Sequence, residues 1–294
     1  MSVAGGLENA ILAGACVGCD CLQIFVKNQR QWSAPPLTDE KVRAFHRAAA
    51  DTGLSPVVAH ATYLLNFASP VAATRRRSVR TMIDELERCE RLGVAALIFH
   101  PGSHLDDGEL RMANQEWRMT GAEHAAIERI AASLNDVHVS CPGYRARILL
   151  ETTAGQGTAI GYRFEHLGEI IASVREPGRL GVCLDTCHLF AAGYDFRTRD
   201  GYDATIDALD RAIGVSLVKC IHTNDSKRDC GSRVDRHEHI GKGRIGKRGF
   251  AHFLNDPRFR EVPFILETPK GTDGRGTKFD KLNLKRLRLL VLAR

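Results

Sequence analysis

Six short apolar runs along the chain each end in a residue whose side chain can bind a metal ion. The runs are VVAH, LIFH, ILLE, VCLD, KCIH and FILE, and they end at His60, His100, Glu151, Asp185, His222 and Glu267. Any single histidine at the end of such a run is more often a hydrogen-bonded packing residue than a ligand. Six ligand-type residues on six separate runs predict a shared metal centre instead. Mixed imidazole and carboxylate donors suit Zn²⁺ or Mn²⁺ better than Ca²⁺.

Three more candidate ligands lie close to these runs. His188 is three residues beyond the VCLD run, and Asp235 and His237 are two residues apart in the segment DRHEH. The full set holds five histidines, two aspartates and two glutamates, which is more than one ion takes. At about three or four protein ligands for each ion, two or three ions are expected, with Glu151 or Glu267 as the bridging carboxylate. Clustered metal ions of this kind suit phosphoester hydrolysis.

The apolar runs are predicted to be strands of a parallel sheet, because continuous apolar runs of this length are buried on both faces. With LQIF at 22–25 as a seventh member, the runs end 34 to 51 residues apart, which leaves room for one helix and two loops. Helical patterns fill these gaps, such as the one that opens at Thr38 and closes at Gly53. This alternation predicts a single (β/α) barrel domain over residues 1–294, whose strand ends meet at one face. The alternative is an open doubly wound sheet, which no glycine-rich dinucleotide loop supports.

The nine cysteines do not form a disulfide framework, because their number is odd, the chain is long and no secretion signal is present. The pair in CVGC (16–19) is interpreted as two buried free thiols, with a redox pair or a zinc site as the alternative. In GVCLDTCHLF, strand alternation places Cys183 on the same face as Asp185 but one layer deeper, as a small hydrophobic residue. Cys187 lies in the turn, where alternation does not decide its role.

The composition is that of a globular protein with a mild positive charge. The 41 Lys and Arg residues exceed the 35 Asp and Glu residues, giving a net charge of +6 and a pI near 8.9. That excess suits a polyanionic partner without demonstrating one. The sequence contains no run of about 18 apolar residues, so no transmembrane helix is predicted. The N-terminus MSVAGGLENA lacks the features of a signal peptide. A cytoplasmic location is therefore expected.

The chain resembles the endonuclease IV family of abasic-site DNA repair enzymes almost from end to end. The matching segments are VVAHATYLLNFASP, FHPGSH, ETTAGQG, GVCLDTCHLFAAGYD, HTNDSK, GSRVDRHEHIGKGRIG and ILETPKG. The resemblance implies a (β/α)8 TIM barrel with three zinc ions, or with manganese at one of the sites. It implies that His60 and His100 hold the first zinc and that Glu151 bridges it to the second. The remaining implied ligands are Asp185, His222 and Glu267 for the second zinc, and His188, Asp235 and His237 for the third.

The same resemblance implies an activity and a partner. The family hydrolyses the phosphodiester bond 5′ to an abasic site in double-stranded DNA, leaves a 3′-hydroxyl and a 5′-deoxyribose phosphate, and trims blocked 3′ ends. Glu151 is implied to orient and deprotonate the nucleophile. Two segments resemble the family's DNA-contacting loops: KNQRQW, with Gln29 and Arg30, and HATYLL, with Tyr63 and Leu64. Ordinary loop packing is the alternative for both. No membrane is involved, and a monomer is expected because the barrel needs no partner chain.

The N-terminus departs from the family pattern. The family's first strand ends in a Gly-x-His stretch that runs directly into a segment like MSVAGGLENA, and here that segment begins at Met1. The first of the eight barrel strands is therefore predicted to be missing, so that two strand edges face each other across a gap. All nine ligands are retained. The hypothesis that follows is a native start upstream of Met1.

Three other functions compete with this interpretation. A sugar isomerase or epimerase on the same barrel also places His, Glu and Asp at strand ends, but it needs fewer metal ions and neither DRHEH nor the two loops. A non-catalytic binder of damaged DNA has no use for a hydrolytic metal cluster. A phosphoesterase acting on small substrates is the third alternative.

Overall fold

A parallel sheet of seven strands forms the centre of the molecule. The computed structural model describes residues 1–105 and 118–292. The strands are β1 (Leu22–Ile24), β2 (Val57–His60), β3 (Ala96–Phe99), β4 (Arg147–Glu151), β5 (Leu180–Asp185), β6 (Val218–His222) and β9 (Phe264–Ile265). They are hydrogen-bonded in the order β1-β2-β3-β4-β5-β6-β9, and every neighbouring pair is parallel. All seven predicted strands are confirmed. A small antiparallel pair, β7 (Asp225–Ser226) with β8 (His237–Glu238), was not predicted.

Nine α-helices lie within the described ranges, most of them around the outside of the sheet. They are α1 (Leu7–Val17), α2 (Asp39–Thr52), α3 (Ala72–Leu92), α4 (Gly121–Ser140), α5 (Phe164–Ser173), α6 (Thr186–Ala192), α7 (Arg199–Ala212), α8 (Gly246–Leu254) and α9 (Phe279–Arg288). The predicted signals at the ends of α2 are confirmed: the Thr38 side chain accepts a hydrogen bond from the backbone of Lys41, and Gly53 ends the helix in the left-handed conformation. Strands and helices alternate as in a TIM barrel.

The barrel is nearly closed, and its one gap lies between β1 and β9. These two strands are the ends of the sheet order, as predicted for a barrel whose first strand is missing. Contacts from side chains span the gap: the Cys21 thiol donates to the Phe264 carbonyl at 3.8 Å, and Gln23 donates to Glu267 at 2.6 Å. A cavity of about 890 Å³ lies along the gap. The parallel sheet is thus continuous through seven strands and held by side chains at this one place.

The sheet separates two apolar layers. Alternate strand residues such as Ile148 and Leu150 face outward and pack against the helices. The opposite residues face the inside of the barrel, where they form a small inner layer of Val58, Ala96, Ile98, Leu149, Cys183, Cys220 and Ile265, with Cys21 packed against it. Because strand side chains alternate with a period of two, the residue two positions after an inner-layer residue also faces inward, one step nearer the end of the strand.

The cysteines are all free thiols, as predicted. Cys183 lies in the inner layer, again as predicted. The interpretation of CVGC as a buried pair is wrong, because Cys16 is exposed and Cys19 is half-buried. Cys16 lies in the last turn of α1, away from the buried face of the helix, and Cys19 lies two residues beyond the helix and packs only partly against the core. No helix in the described ranges has the length and apolar character that crossing a bilayer requires.

We expect the inner layer to contribute strongly to stability because its side chains are enclosed on all sides. Leu149 is fully buried there, and truncation to alanine leaves a cavity that the rigid strands around it cannot fill. Leu149→Ala should lower the free energy of unfolding by about 2–5 kcal/mol in denaturant titration. The control is Val139→Ala, at a position on α4 that is 69% exposed. It should change the free energy of unfolding by about 0.5 kcal/mol or less. Equal effects of the two substitutions would contradict a close-packed inner layer.

Candidate metal centre

Glu151 lies at the centre of a group of histidines. It is the last residue of β4 and is fully buried. Its Oε2 atom lies 3.0 Å from Nε2 of His60 and 3.1 Å from Nε2 of His100. Its Oε1 atom lies 2.9 Å from Nδ1 of His222 and 3.5 Å from Nδ1 of His188. One carboxylate therefore connects imidazoles that come from four separate parts of the barrel.

The first of three groups consists of His60, His100 and Glu151. One ligand atom from each lies within 4.8 Å of the other two, which is close enough for all three to bind one ion. His60 ends β2, and its Nδ1 donates to the Ala61 carbonyl at 2.8 Å. This hydrogen bond fixes the ring so that Nε2 faces Glu151, as is usual for metal-binding histidines.

The second group shares Glu151 and adds Asp185, His222 and Glu267, again with ligand atoms within 4.8 Å of one another. Nδ1 of His222 lies 3.2 Å from Glu267 Oε2 and 3.8 Å from Asp185 Oδ2. Asp185 and His222 end the neighbouring strands β5 and β6 and are directly paired in the sheet. Glu267 follows β9 by two residues, so it reaches the same point from the edge of the gap.

The third group lies on the outer side of the second. Nε2 of His188 is 3.2 Å from Asp235 Oδ2, and Nε2 of His237 is 3.3 Å from Asp235 Oδ1. His188 is held by a hydrogen bond from its Nδ1 to the Thr152 carbonyl at 2.8 Å. The Nε2 atoms of both histidines are buried and have no hydrogen-bond partner among the described residues. Two buried nitrogens without a hydrogen-bond partner beside a carboxylate fit a cation.

All nine ligand-type residues singled out in the sequence thus lie together at the carboxyl ends of the strands. Cys187 also comes close: its thiol is within 4.8 Å of ligand atoms of Asp235 and His237. The thiol is, however, engaged with the Ser226 side chain and the Arg236 backbone. Burial raises the pKa of Cys187 above its usual range, which favours the neutral thiol over the thiolate that binds metals.

Charge balance within the protein explains how so many ionisable groups are buried together. Burial opposes the charged form of His188, but the carboxylates of Asp185, Asp235 and Glu151 outweigh it and raise its pKa to about 10. Burial would likewise raise the pKa of Asp235, but His188 outweighs it and the pKa falls to about 2. The pKa of Glu151 lies well below its usual range because His222 and His100 outweigh the effect of burial. Asp235 and Glu151 are therefore ionised at neutral pH, as metal ligands must be.

Sequence reasoning missed two buried residues that position the ligands. Gln23 on β1 donates from Nε2 to Glu267 Oε1 at 2.6 Å, and its Oε1 accepts from His222 Nε2 at 2.7 Å. With Nε2 of His222 donating, Nδ1 is left to face the carboxylates. Asn224 donates to Asp185 Oδ2 at 2.7 Å, and its Oδ1 accepts from the Glu267 backbone at 2.8 Å. The signal for Gln23 was a lone polar residue at an inward position of the LQIF run.

The two predicted DNA-contacting loops lie side by side at the mouth of the barrel. The Gln29 carbonyl accepts hydrogen bonds from the Thr62 hydroxyl at 2.6 Å and from the Tyr63 backbone at 3.3 Å. The Tyr63 ring lies 5.3 Å from the His60 ring and is 57% exposed. Burial of the hydroxyl end and the nearby carboxylates of Glu267 and Glu151 raise the pKa of Tyr63 to about 12, so the phenol is neutral.

A cleft of about 500 Å³ opens beside these loops. Tyr63 and Leu64 line it on one side, and His100, His188 and Asp235 line it on the other. The exposed side chain of Arg30 lies in the loop that supports Tyr63. The cleft therefore gives a bound molecule direct access to ligand-type residues of the first and third groups.

Known proteins resemble this chain over nearly its full length. Residues 12–286 match the family described as the xylose isomerase-like TIM barrel. A protein named probable endonuclease 4, from Chloroflexus aggregans, is 47% identical over 99% of this chain and 96% of its own length. The crystal structure of endonuclease IV from Thermus thermophilus is 35% identical, with a TM-score of 0.82, and the match covers 99% of this chain and 96% of that one.

A sugar-converting enzyme shares the fold at a much greater distance in sequence. D-Psicose 3-epimerase from Clostridium cellulolyticum has a TM-score of 0.68 but is only 15% identical, over 99% of this chain and 96% of that one. A likeness at this level shows the barrel alone, because many unrelated activities use it. The sequence identity to the endonucleases is more than twice as high, and those matches span every ligand-bearing segment. The chain therefore belongs to the endonuclease IV family, a family of nucleases built on the TIM barrel.

Proposed function

We propose that this protein is a zinc-dependent endonuclease that hydrolyses the phosphodiester bond 5′ to an abasic site in double-stranded DNA. The products are a 3′-hydroxyl and a 5′-deoxyribose phosphate, and the same site trims blocked 3′ ends. The main support for the proposal is that three groups of ligand-type residues lie next to one another around the buried carboxylate of Glu151. A single-metal sugar enzyme has no need of three adjacent groups, whereas phosphoester hydrolysis uses several cations at once.

Each group is assigned one zinc ion. His60 and His100 would hold the first together with Glu151, which would also be a ligand of the second. The full set of proposed ligands is His60, His100, Glu151, Asp185, His188, His222, Asp235, His237 and Glu267. Their nitrogen and oxygen donors suit Zn²⁺, with Mn²⁺ acceptable at one site. Bound there, the cations supply an activated water and neutralise the phosphate charge.

The protein's own groups orient the reactants. Glu151 has each carboxylate oxygen between two imidazoles, which keeps it fixed while it orients the attacking water and accepts its proton. The hydrogen bonds of His60 to Ala61 and of His188 to Thr152 hold those rings in place. Because these positions are set before the substrate arrives, little reorganisation is needed during the reaction.

The cleft beside the two loops is the proposed place of the abasic nucleotide. A volume of about 500 Å³ is in the range of small-ligand sites and is sufficient for one sugar-phosphate extruded from a duplex. An abasic nucleotide is the easiest to extrude because it has no paired base to lose. Tyr63 and Leu64 on one loop, with Gln29 and Arg30 on the other, are proposed to fill the space left in the duplex and to contact its backbone.

Incision of a duplex with one abasic site tests the proposal. The wild-type protein should cut 5′ to the lesion and contain close to three zinc ions per chain by atomic emission. Glu151→Gln removes the proton acceptor while keeping its size, and we expect incision to fall by at least about 10²–10⁴-fold, with DNA binding largely unchanged. Glu40→Gln, at an exposed position on α2, is the control and should cut like wild type.

Other results of the same assay would decide against the proposal. Full incision by Glu151→Gln would remove Glu151 from the reaction. Loss of folding in that variant, detected by circular dichroism, would show that Glu151 is mainly structural. A wild-type protein that ignores abasic DNA, holds one metal ion and converts a ketose would be a sugar epimerase instead.

Gln23 should tune the affinity of the second zinc. Gln23→Met keeps the volume but removes the hydrogen bonds to both Glu267 and His222. Since residues that orient metal ligands commonly contribute about 10- to 100-fold, we expect zinc affinity to fall by about that factor in competition with a chelator. Gln31→Met, at an exposed position, is the control. Equal affinities in the two variants would mean that Gln23 only fills space.

Metal binding should release protons, because three histidines of the centre, His60, His188 and His222, hold them strongly. The pKa of His188 is raised to about 10, and the pKa values of His60 and His222 are also raised. A proton competes with a cation below a raised pKa, so zinc affinity should increase as pH rises from about 6 toward 10. Calorimetry at about pH 8 in two buffers of different ionisation enthalpy measures the release. His188→Asn should release fewer protons than wild type, and a wild-type protein that releases none would contradict the charge balance described above.

A further inference from the structure

The inner layer beneath the metal centre contains two thiols in direct contact. Cys183 on β5 and Cys220 on β6 are paired in the sheet register and are fully buried. The two sulfur atoms lie within 4.8 Å of each other and of a ring nitrogen of His222. Strand alternation explains the arrangement, because Cys220 precedes His222 by two residues and faces the same side.

These three side chains have the geometry of a metal site with different chemistry from the one above it. One ligand atom each from Cys183, Cys220 and His222 lies within 4.8 Å of the other two. Among the described residues, no other such group contains two thiols. Two sulfur donors and one imidazole select soft cations such as Cd²⁺ and Cu⁺, whereas the oxygen-rich groups above select harder ones.

We propose that Cys183, Cys220 and His222 form a binding site for soft, thiophilic cations, separate from the zinc centre but sharing His222 with it. Binding replaces two S–H bonds by two metal–sulfur bonds and releases two protons to solvent, so no oxidant or reductant is involved.

The gap in the barrel gives a route to this site. Cys21 lines the cavity between β1 and β9 and packs against the inner layer that contains Cys183 and Cys220. It is half-buried, so its thiol is the member of this set nearest to solvent. A cation that enters the gap would therefore meet Cys21 first, at the edge of the layer that contains Cys183 and Cys220.

Because His222 belongs to both sites, a cation in the soft-cation site should lower the rate of DNA incision. This expectation rests on the proposed function. Nδ1 of His222 lies 2.9 Å from Glu151 and 3.2 Å from Glu267, within the second ligand group. A soft cation that draws His222 toward Cys220 removes a ligand from that group. A soft cation should then lower the affinity of the second group for zinc, and zinc should lower the affinity for the soft cation by the same factor, since coupling between binding sites is reciprocal. Soft cations are therefore inhibitors that act from inside the barrel.

Titration with Cd²⁺ of the zinc-loaded protein tests the binding site without reference to catalysis. The CVGC pair, one thiol exposed and one half-buried, is first removed by Cys16→Ser and Cys19→Ser so that it contributes no signal. In that protein we expect an ultraviolet thiolate-to-cadmium charge-transfer band that saturates at one Cd²⁺ per chain. The band should be lost when Cys183→Val and Cys220→Val are added. The matched control Cys89→Val, at a buried cysteine of α3, should keep it.

X-ray absorption at the cadmium edge gives a second readout that needs no variant of the inner layer. Two sulfur neighbours and one nitrogen neighbour are expected in the Cys16→Ser, Cys19→Ser protein. Oxygen and nitrogen neighbours only, or a charge-transfer band that survives the removal of Cys183 and Cys220, would overturn the proposal.

Inhibition of DNA incision by Cd²⁺ forms the last arm of the test. The concentration for half-inhibition should be about tenfold higher or more after Cys183→Val and Cys220→Val than in the Cys89→Val control. Equal inhibition of both proteins would overturn the coupling through His222. A protein that shows the charge-transfer band but cuts no abasic DNA would contradict the proposed function and leave the soft-cation site standing, so the two failures are distinguishable.

Discussion

The arrangement of the barrel mouth depends on one buried carboxylate. Glu151 is fully enclosed, ionised, and in contact with imidazoles on both of its oxygens. An ionised carboxylate in such a place costs several kcal/mol unless it is paired, so the histidines around it are required by the fold as well as by chemistry. The same pairing keeps the carboxylates charged and the rings directed inward. A cation bound in this centre would need little rearrangement of the protein, because it would replace protons that His60, His188 and His222 hold.

The inner layer is what gives this carboxylate its position. On each of the six ligand-bearing strands, a packed residue lies two positions before the ligand, as Leu149 precedes Glu151 and Cys183 precedes Asp185. Side chains packed to crystal-like density allow little movement, so each ligand projects from a fixed base. The layer also excludes water from below, which strengthens every electrostatic contact above it. Each of these strands therefore contributes one packed residue to the inner layer and, two positions later, one ligand-type residue to the centre above it.

Much of this arrangement could be predicted because strands have a strict period. Apolar runs identified the seven strands, and the polar ends of six runs lie at one face together with the three further ligand-type residues. Gln23 was not predicted because its run ends in the apolar residue Phe25. The polar residue lies within the run, at a position that faces the inside of the barrel. Exposure of Cys16 could not be read from local apolarity, since it depends on which face of α1 turns to the barrel. The two-residue strands β7 and β8 are too short to leave a periodic signal.

The hydrogen bond between Gln23 and Glu267 joins the two strands that flank the gap, and both residues are tied to His222. Cations held by Glu267 and His222 would therefore link one edge of the barrel to the other through side chains, where backbone hydrogen bonds between strands would otherwise do so. Opening of the barrel along this line and dissociation of the cations are then linked equilibria. With cations bound, these residues would hold the two edges of the barrel together, so the melting temperature of the fold should rise with the free concentration of those ions.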